Sequence, residues 1–197
     1  AAREREPNVT APWIERLARG GLSGRPIAAL AAELGRSVVE VEGGLAPLLA
    51  SGTIVRVAGL VFSGDAWRAA QASAIDALQA FHAKDPLKSG MARETLRAAV
   101  ARDMTPEAFR ELLNELAANA EVGLAGDRVA RAGHKVVLSP GDAGRAAAIE
   151  ESFRKAGLDP PAIEDVLRSV GGAQGARLRD WLVEEGKNQK GEDVASW

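Results

Sequence analysis

Two clusters of cations are the residues best suited to chemistry in this 197-residue chain, and the chemistry is the holding of phosphate. Arg177, Arg179, Lys187 and Lys190 lie toward the C-terminus, and Arg128, Arg131, His134 and Lys135 form a second, tighter group. Cationic side chains at this density neutralise a phosphate backbone and release its counterions, while His134 supplies a flat ring on which an exposed base can stack. The second group reads more readily as a charged hairpin that keeps a sheet edge from pairing with another chain.

Catalysis is excluded on inventory. With two His, no Cys and no His-x-x-x-His or Glu-x-x-His spacing, no nucleophile, base or zinc set can be assembled. The clusters Gly20-Gly21-Leu22-Ser23-Gly24 and Gly171-Gly172-Ala173-Gln174-Gly175 lack the Lys-Ser/Thr that a phosphate loop needs, and neither follows a strand, so they read as turns. Glu150-Glu151 and Glu184-Glu185 read as solvated helix faces, and Trp67 and Trp181 as packing residues. No catalytic, metal or cofactor-binding residue is expected.

Composition sets the outer bounds. The chain is 46% hydrophobic and 26% charged, the balance of a soluble globular protein, but only 4% aromatic with no Tyr, so its cores must be built from Ala, Leu, Val and Ile. A net charge of −2 offers no global attraction to nucleic acid, so any such contact must be local. No run is long enough to span a membrane and no signal-peptide pattern opens the chain, so a cytoplasmic monomer is expected. The missing initiator Met and the abrupt end at Trp197 give the expectation of a piece of a longer protein.

The elements that must position these residues recur three times. In the first copy, Pro12 to Arg19 is an amphipathic helix, Pro26 opens a second helix stopped by Gly35, and Ser37 with Glu40 forms a capping box for a third. Alternation over Thr53 to Phe62 then predicts a hairpin. The second copy has a long helix from Trp67 to His82, a helix from Glu94 to Ala101, a third capped by Thr105 with Pro106 at its first position, and a hairpin over Val122 to Arg131, with Val136-Val137-Leu138 extending the sheet. In the third, Ser139-Pro140 opens a helix to Lys155, and Ala162 to Val170 and Ala176 to Glu185 complete the trio. Its hairpin is weak, because Lys187 to Asp193 has no apolar alternation.

Third helices ending at Gly52, Ala120 and Gly186 give a spacing of 68 and then 66 residues, which suits a helix-turn-helix unit with a hairpin wing. The fold class is therefore α+β, mostly helical, with three tandem winged-helix domains at 1–66, 67–138 and 139–197, the last with a short or incomplete wing. In such a unit the third helix usually enters a nucleic-acid groove. Here Glu40 and Glu42 in the first copy, and Glu107, Glu111 and Glu115 against Arg110 in the second, would repel phosphate. Only the third copy, with Arg177 and Arg179 on its helix and Lys187 and Lys190 on its wing, favours RNA.

The segment Phe81-His82-Ala83-Lys84-Asp85-Pro86-Leu87-Lys88-Ser89-Gly90-Met91, leading into Glu94, Leu96 and Arg97, is more particular than any structural rule demands. Residue by residue, Pro86 and Gly90 break the chain between helices, Phe81 and Leu87 anchor a core, and His82 sits where a cation suits a helix C-terminus. As a string it resembles a signature of the bacterial selenocysteine-specific elongation factor family, SelB, in the second of its C-terminal winged helices.

That resemblance implies a C-terminal arm of a translation elongation factor. The family's GTP-binding and tRNA-binding part lies outside such a segment, and its winged helices hold the selenocysteine insertion hairpin (SECIS) of the mRNA while UGA is read as selenocysteine. A fourth winged helix, which makes the main RNA contact in the family, would follow Trp197. Cofactors are then none in this chain, with GTP in the parent, and the partners are the mRNA hairpin and the ribosome. Two other readings stay open: a tandem winged-helix transcription regulator on duplex DNA, and a protein-interaction scaffold.

Overall fold

The structure is a computed structural model and describes residues 11–156, 162–170 and 173–190. The chain forms two compact units, one running to Phe81 and including Gly90–Gly133, the other comprising His82–Ser89 and the residues from His134 onward.

The first unit holds two copies of one pattern. Helices α1 (Ala11–Gly20), α2 (Ile27–Leu34) and α3 (Val38–Ala50) precede a hairpin of β2 (Ile54–Val57) and β3 (Leu60–Ser63), and a two-residue strand β1 (Arg25–Pro26) adds to β3. Helix α4 (Gly64–Lys84) leads into the second copy, β4 (Met91–Ala92), α5 (Arg93–Val100), α6 (Pro106–Ala118), β5 (Val122–Ala125) and β6 (Arg128–Arg131). Both sheets have the same antiparallel order, β1-β3-β2 and β4-β6-β5, with Arg25 opposite Val61 and Met91 opposite Val129.

Local chemistry sets the helix ends. Gly35, at φ 62°, gives its amide to the carbonyls of Ala31 and Ala32 and closes α2 in the left-handed conformation that a residue with a Cβ resists. Ser37 starts α3 with a reciprocal box: its amide reaches the Glu40 carboxylate at 2.8 Å while the Glu40 amide reaches its hydroxyl at 3.3 Å. Thr105 caps α6, with Pro106 in the first turn where no amide is missed. Gly52 and Ala120, the expected ends of the third helices, both adopt positive φ, at 68° and 55°.

Cores follow from these elements. Trp13, Leu17, Leu30, Val41, Leu45 and Val61 fill the first copy. Position 44 favours glycine, because a Cβ there would run into the ring of Trp13. Phe62 belongs to the second core, with its ring 5.2 Å from that of Trp67 and Leu78, Leu96, Leu112 and Val129 around it. The chain passes from β3 at Ser63 to α4 at Gly64 with no residue between, and both copies fall in one compact unit. The reason is the outward face of the first hairpin, whose Phe62 is too apolar to leave in water.

The second unit packs α7 (Pro140–Ala156), α8 (Ile163–Ser169) and α9 (Ala173–Lys190) around Ala146, Ile149, Val166 and Leu178, with Leu87, Leu138 and Trp181 against them. Two expectations are corrected here. Val136-Val137-Leu138 does not extend the sheet: Leu138 instead joins this core, and Val137 is 77% exposed. Lys187 and Lys190 lie on α9, not on a wing, because no proline or capping residue interrupts a run of helix formers, and Gly186 alone does not stop it. The rest of the expected third wing, 191–197, lies outside the described residues.

Candidate nucleic-acid interface

The signature segment is accounted for by structure, residue by residue. Gly90 lies against the hairpin, where a Cβ would stand 2.7 Å from the Val129 carbonyl oxygen, and this close approach lets Met91 pair with Val129. Leu96 is fully buried. Arg97 donates to the carbonyls of Met104 at 2.7 Å and Arg102 at 3.0 Å, tying down the turn between α5 and α6, and Glu94 holds its other edge at 2.5 Å. That ion pair keeps the Glu94 carboxyl below its usual pKa and raises Arg97 further.

His82 departs from expectation. It sits in the last turn of α4 but is 8% exposed, and burial followed by repulsion from His134 lowers its pKa, so it is held neutral and does not serve as a cation for the helix dipole. The two imidazoles are stacked, with centroids 3.5 Å apart and planes at 19°. His134, expected to offer a face to a base, therefore has a face covered by His82, and its Nε2 lies 3.0 Å from the Lys88 carbonyl oxygen.

The second-wing cations are mostly engaged. Arg128 donates to the Gly90 carbonyl at 2.9 Å, and Arg131 bonds the Glu121 carboxylate at 2.7 Å and the Glu121 carbonyl. Lys135 is exposed with no ion pair among the described residues. These bonds fix the two strands of the hairpin and its junction with β4. Sequence could not supply them, since they depend on strand register.

In the second unit Arg177 is exposed and has no ion pair among the described residues, whereas Arg179 is tied to Asp180 at 2.5 Å. Arg177, Asp180 and Trp181 of α9 line a cavity of about 280 Å³ together with the 85–88 loop and Asp142. The α9 helix carries Lys187 and Lys190 beyond them.

Four of the five upstream acids have partners within the fold. Glu40 closes its capping box, which holds its carboxyl below the usual range through the Ser37 amide and hydroxyl. Glu42 pairs with Arg56 of β2 at 3.2 Å, and Glu111 with Arg110 at 3.4 Å. Glu115 is exposed, as read from sequence, and also accepts from the Trp67 indole at 2.8 Å and from Gln71 at 3.0 Å. Glu107 is exposed.

One residue escaped the sequence reading. The Arg93 Nε is buried without a hydrogen-bond partner, beside a groove lined by Arg97, Arg110, Glu107, Asp127 and Phe109. Its place two residues after Met91, beside Glu94 of the signature, was the available signal. Among the described residues no group of three His, Asp or Glu is placed to hold a metal, and no helix is long and apolar enough to cross a membrane.

Comparison with known proteins agrees with this geometry. Residues 75–130, which run from α4 through the second hairpin, match the family described as elongation factor SelB, winged helix. The selenocysteine-specific elongation factor of Desulfomicrobium baculatum is 28% identical over 114 residues, covering 57% of this chain and 18% of that protein. The matched part thus spans about a fifth of the relative's length. The stretch that holds the signature, the α5-turn-α6 pair and the second hairpin is thus similar to a winged-helix region of SelB elongation factors.

Proposed function

We propose that this chain is the arm of a selenocysteine-specific elongation factor, spacing the GTPase and tRNA-binding part of its parent from the mRNA insertion hairpin while UGA is decoded as selenocysteine. The carrying observation is the match over 75–130, whose signature residues are spent on turns and cores as a semi-rigid spacer requires. Three winged-helix modules, 1–66, 67–138 and 139–197, make up the arm on this reading. GTP binding belongs to the parent and chemistry to neither the arm nor its surface. Arg56 and Arg110 are engaged by Glu42 and Glu111, so these cations of the first two modules have little to offer phosphate. Contact with RNA falls to Arg177, Arg179, Lys187 and Lys190.

Two measurements test this. A UGA readthrough reporter that depends on the full-length parent should lose selenocysteine incorporation when the arm is replaced by a flexible linker, with GTP binding retained; undiminished incorporation would overturn the spacer role. Fluorescence anisotropy with a labelled insertion hairpin should show weak binding by the chain itself, falling with log salt by about 0.7 log units per phosphate contact. Replacing Arg177, Arg179, Lys187 and Lys190 by Ala should abolish it, and greater damage from Lys135→Ala would move the surface to the second wing.

A further inference from the structure

The chain has two histidines, 52 positions apart in sequence, and the fold places them face to face. Each stands where the chain enters the second unit: His82 begins the 82–89 stretch and His134 begins the final one. A carbonyl oxygen only accepts, so the His134 Nε2 facing Lys88 carries the proton, and Nδ1 is left as the site for a second. The Lys88 backbone also hydrogen-bonds His82, which makes this one residue the common support of both rings.

We propose that the His82–His134 stack is a proton-operated latch, holding residues 134–139 against the 85–88 loop while at least one ring is neutral and releasing them when both are charged. One imidazolium rests comfortably on a neutral ring, as a cation does on an aromatic face. Two positive rings at 3.5 Å do not, and the buried His82 has the poorer access to water with which to offset the repulsion. The surrounding charges do not cancel this. Lys84 on α4, Lys88 on the loop and Lys135 beside His134 are all positive, with Asp85 the acid on those segments. Across the adjoining cavity, Asp142 of α7 is tied to Arg145, and on α9 Asp180 is tied to Arg179 beside Arg177.

Release would move Val137 and Lys88, two walls of that cavity, so proton uptake changes the shape of the surface presented by α9. This inference does not depend on the proposed RNA contact.

Imidazole proton–nitrogen correlation spectra of the full chain test it, since only two residues contribute. The His82 ring should titrate below its ordinary value. In His134→Phe, which keeps a flat ring but takes no proton, the remaining His82 step should move upward. Amide exchange at 135–139, corrected for the intrinsic effect of pH, should rise about tenfold on full protonation of the wild-type pair and stay flat in His134→Phe. A His82 ring that titrates at its ordinary value, or exchange that does not change as pH falls through the His82 step, would overturn the latch. Should the variant fail to fold, the wild-type titration and exchange decide alone.

Discussion

The indole of Trp67, at the start of α4, donates to the carboxylate of Glu115 in the last turns of α6 at 2.8 Å, across 48 residues of sequence. Trp67 is 2% exposed, so this bond is what allows its polar edge into the second core. Glu115→Ala should destabilise the chain by about 1–3 kcal/mol, the cost of an unsatisfied buried donor, whereas Glu115→Gln keeps an acceptor and should cost less. Urea unfolding followed by tryptophan emission would measure both.

Neighbouring glycines in α3 should respond oppositely to the same change. A Cβ at Gly43 meets nothing within 4 Å, so Gly43→Ala should gain about 1 kcal/mol of helix propensity. At Gly44 the Cβ runs into Trp13, and overpacking of about 1–3 kcal/mol outweighs that gain. A pair of thermal melts decides it, and equal shifts would show that Trp13 moves aside freely.

Ala120 ends α6 at φ 55°, the left-handed position that Gly52 occupies at φ 68° in the first copy. Relief of this strain in Ala120→Gly should stabilise the chain by about 1 kcal/mol, offset in part by unfolded-chain entropy. The check is a rise in the denaturation midpoint.

Arg97→Lys should lower the midpoint more than Glu94→Gln does. Lysine cannot fork to the carbonyls of Met104 and Arg102 while also meeting Glu94, whereas loss of Glu94 removes only the exposed partner. Equal effects in chemical denaturation would make the ion pair, not the turn, the role of Arg97.

Because the native His82 pKa lies below the ordinary 6.5, the unfolded chain binds more protons between those two values. Its contribution is therefore complete above about pH 6.5 and is lost as pH falls through the native value. Denaturant midpoints should decline as pH is lowered from 7.5 through this range, and a His82→Phe chain that folds should show a shallower decline.

Residues that act on near neighbours were legible in the sequence. Ser37 with Glu40, Thr105 with Pro106 and Gly35 declare helix ends because each works within a single turn. The strands β1 and β4 were not, since two residues carry no periodicity and pair only because Gly24 and Gly90 let the backbone approach the hairpins. Side-chain fate was hidden for the same reason. Arg128, Arg131 and His134 look like surface charges until register and packing bring Gly90, Glu121 and His82 beside them.

The direct passage from Ser63 to Gly64 also has a mechanical meaning. A connecting loop would act as a soft spring and absorb tension before it reached the next element. Here a pull along β3 enters the axis of α4 without slack. The Gly64 amide, held on the Thr53 carbonyl at 2.9 Å, ties that junction back to the start of β2, so a load must break the first hairpin's closing bond before the helix can swing.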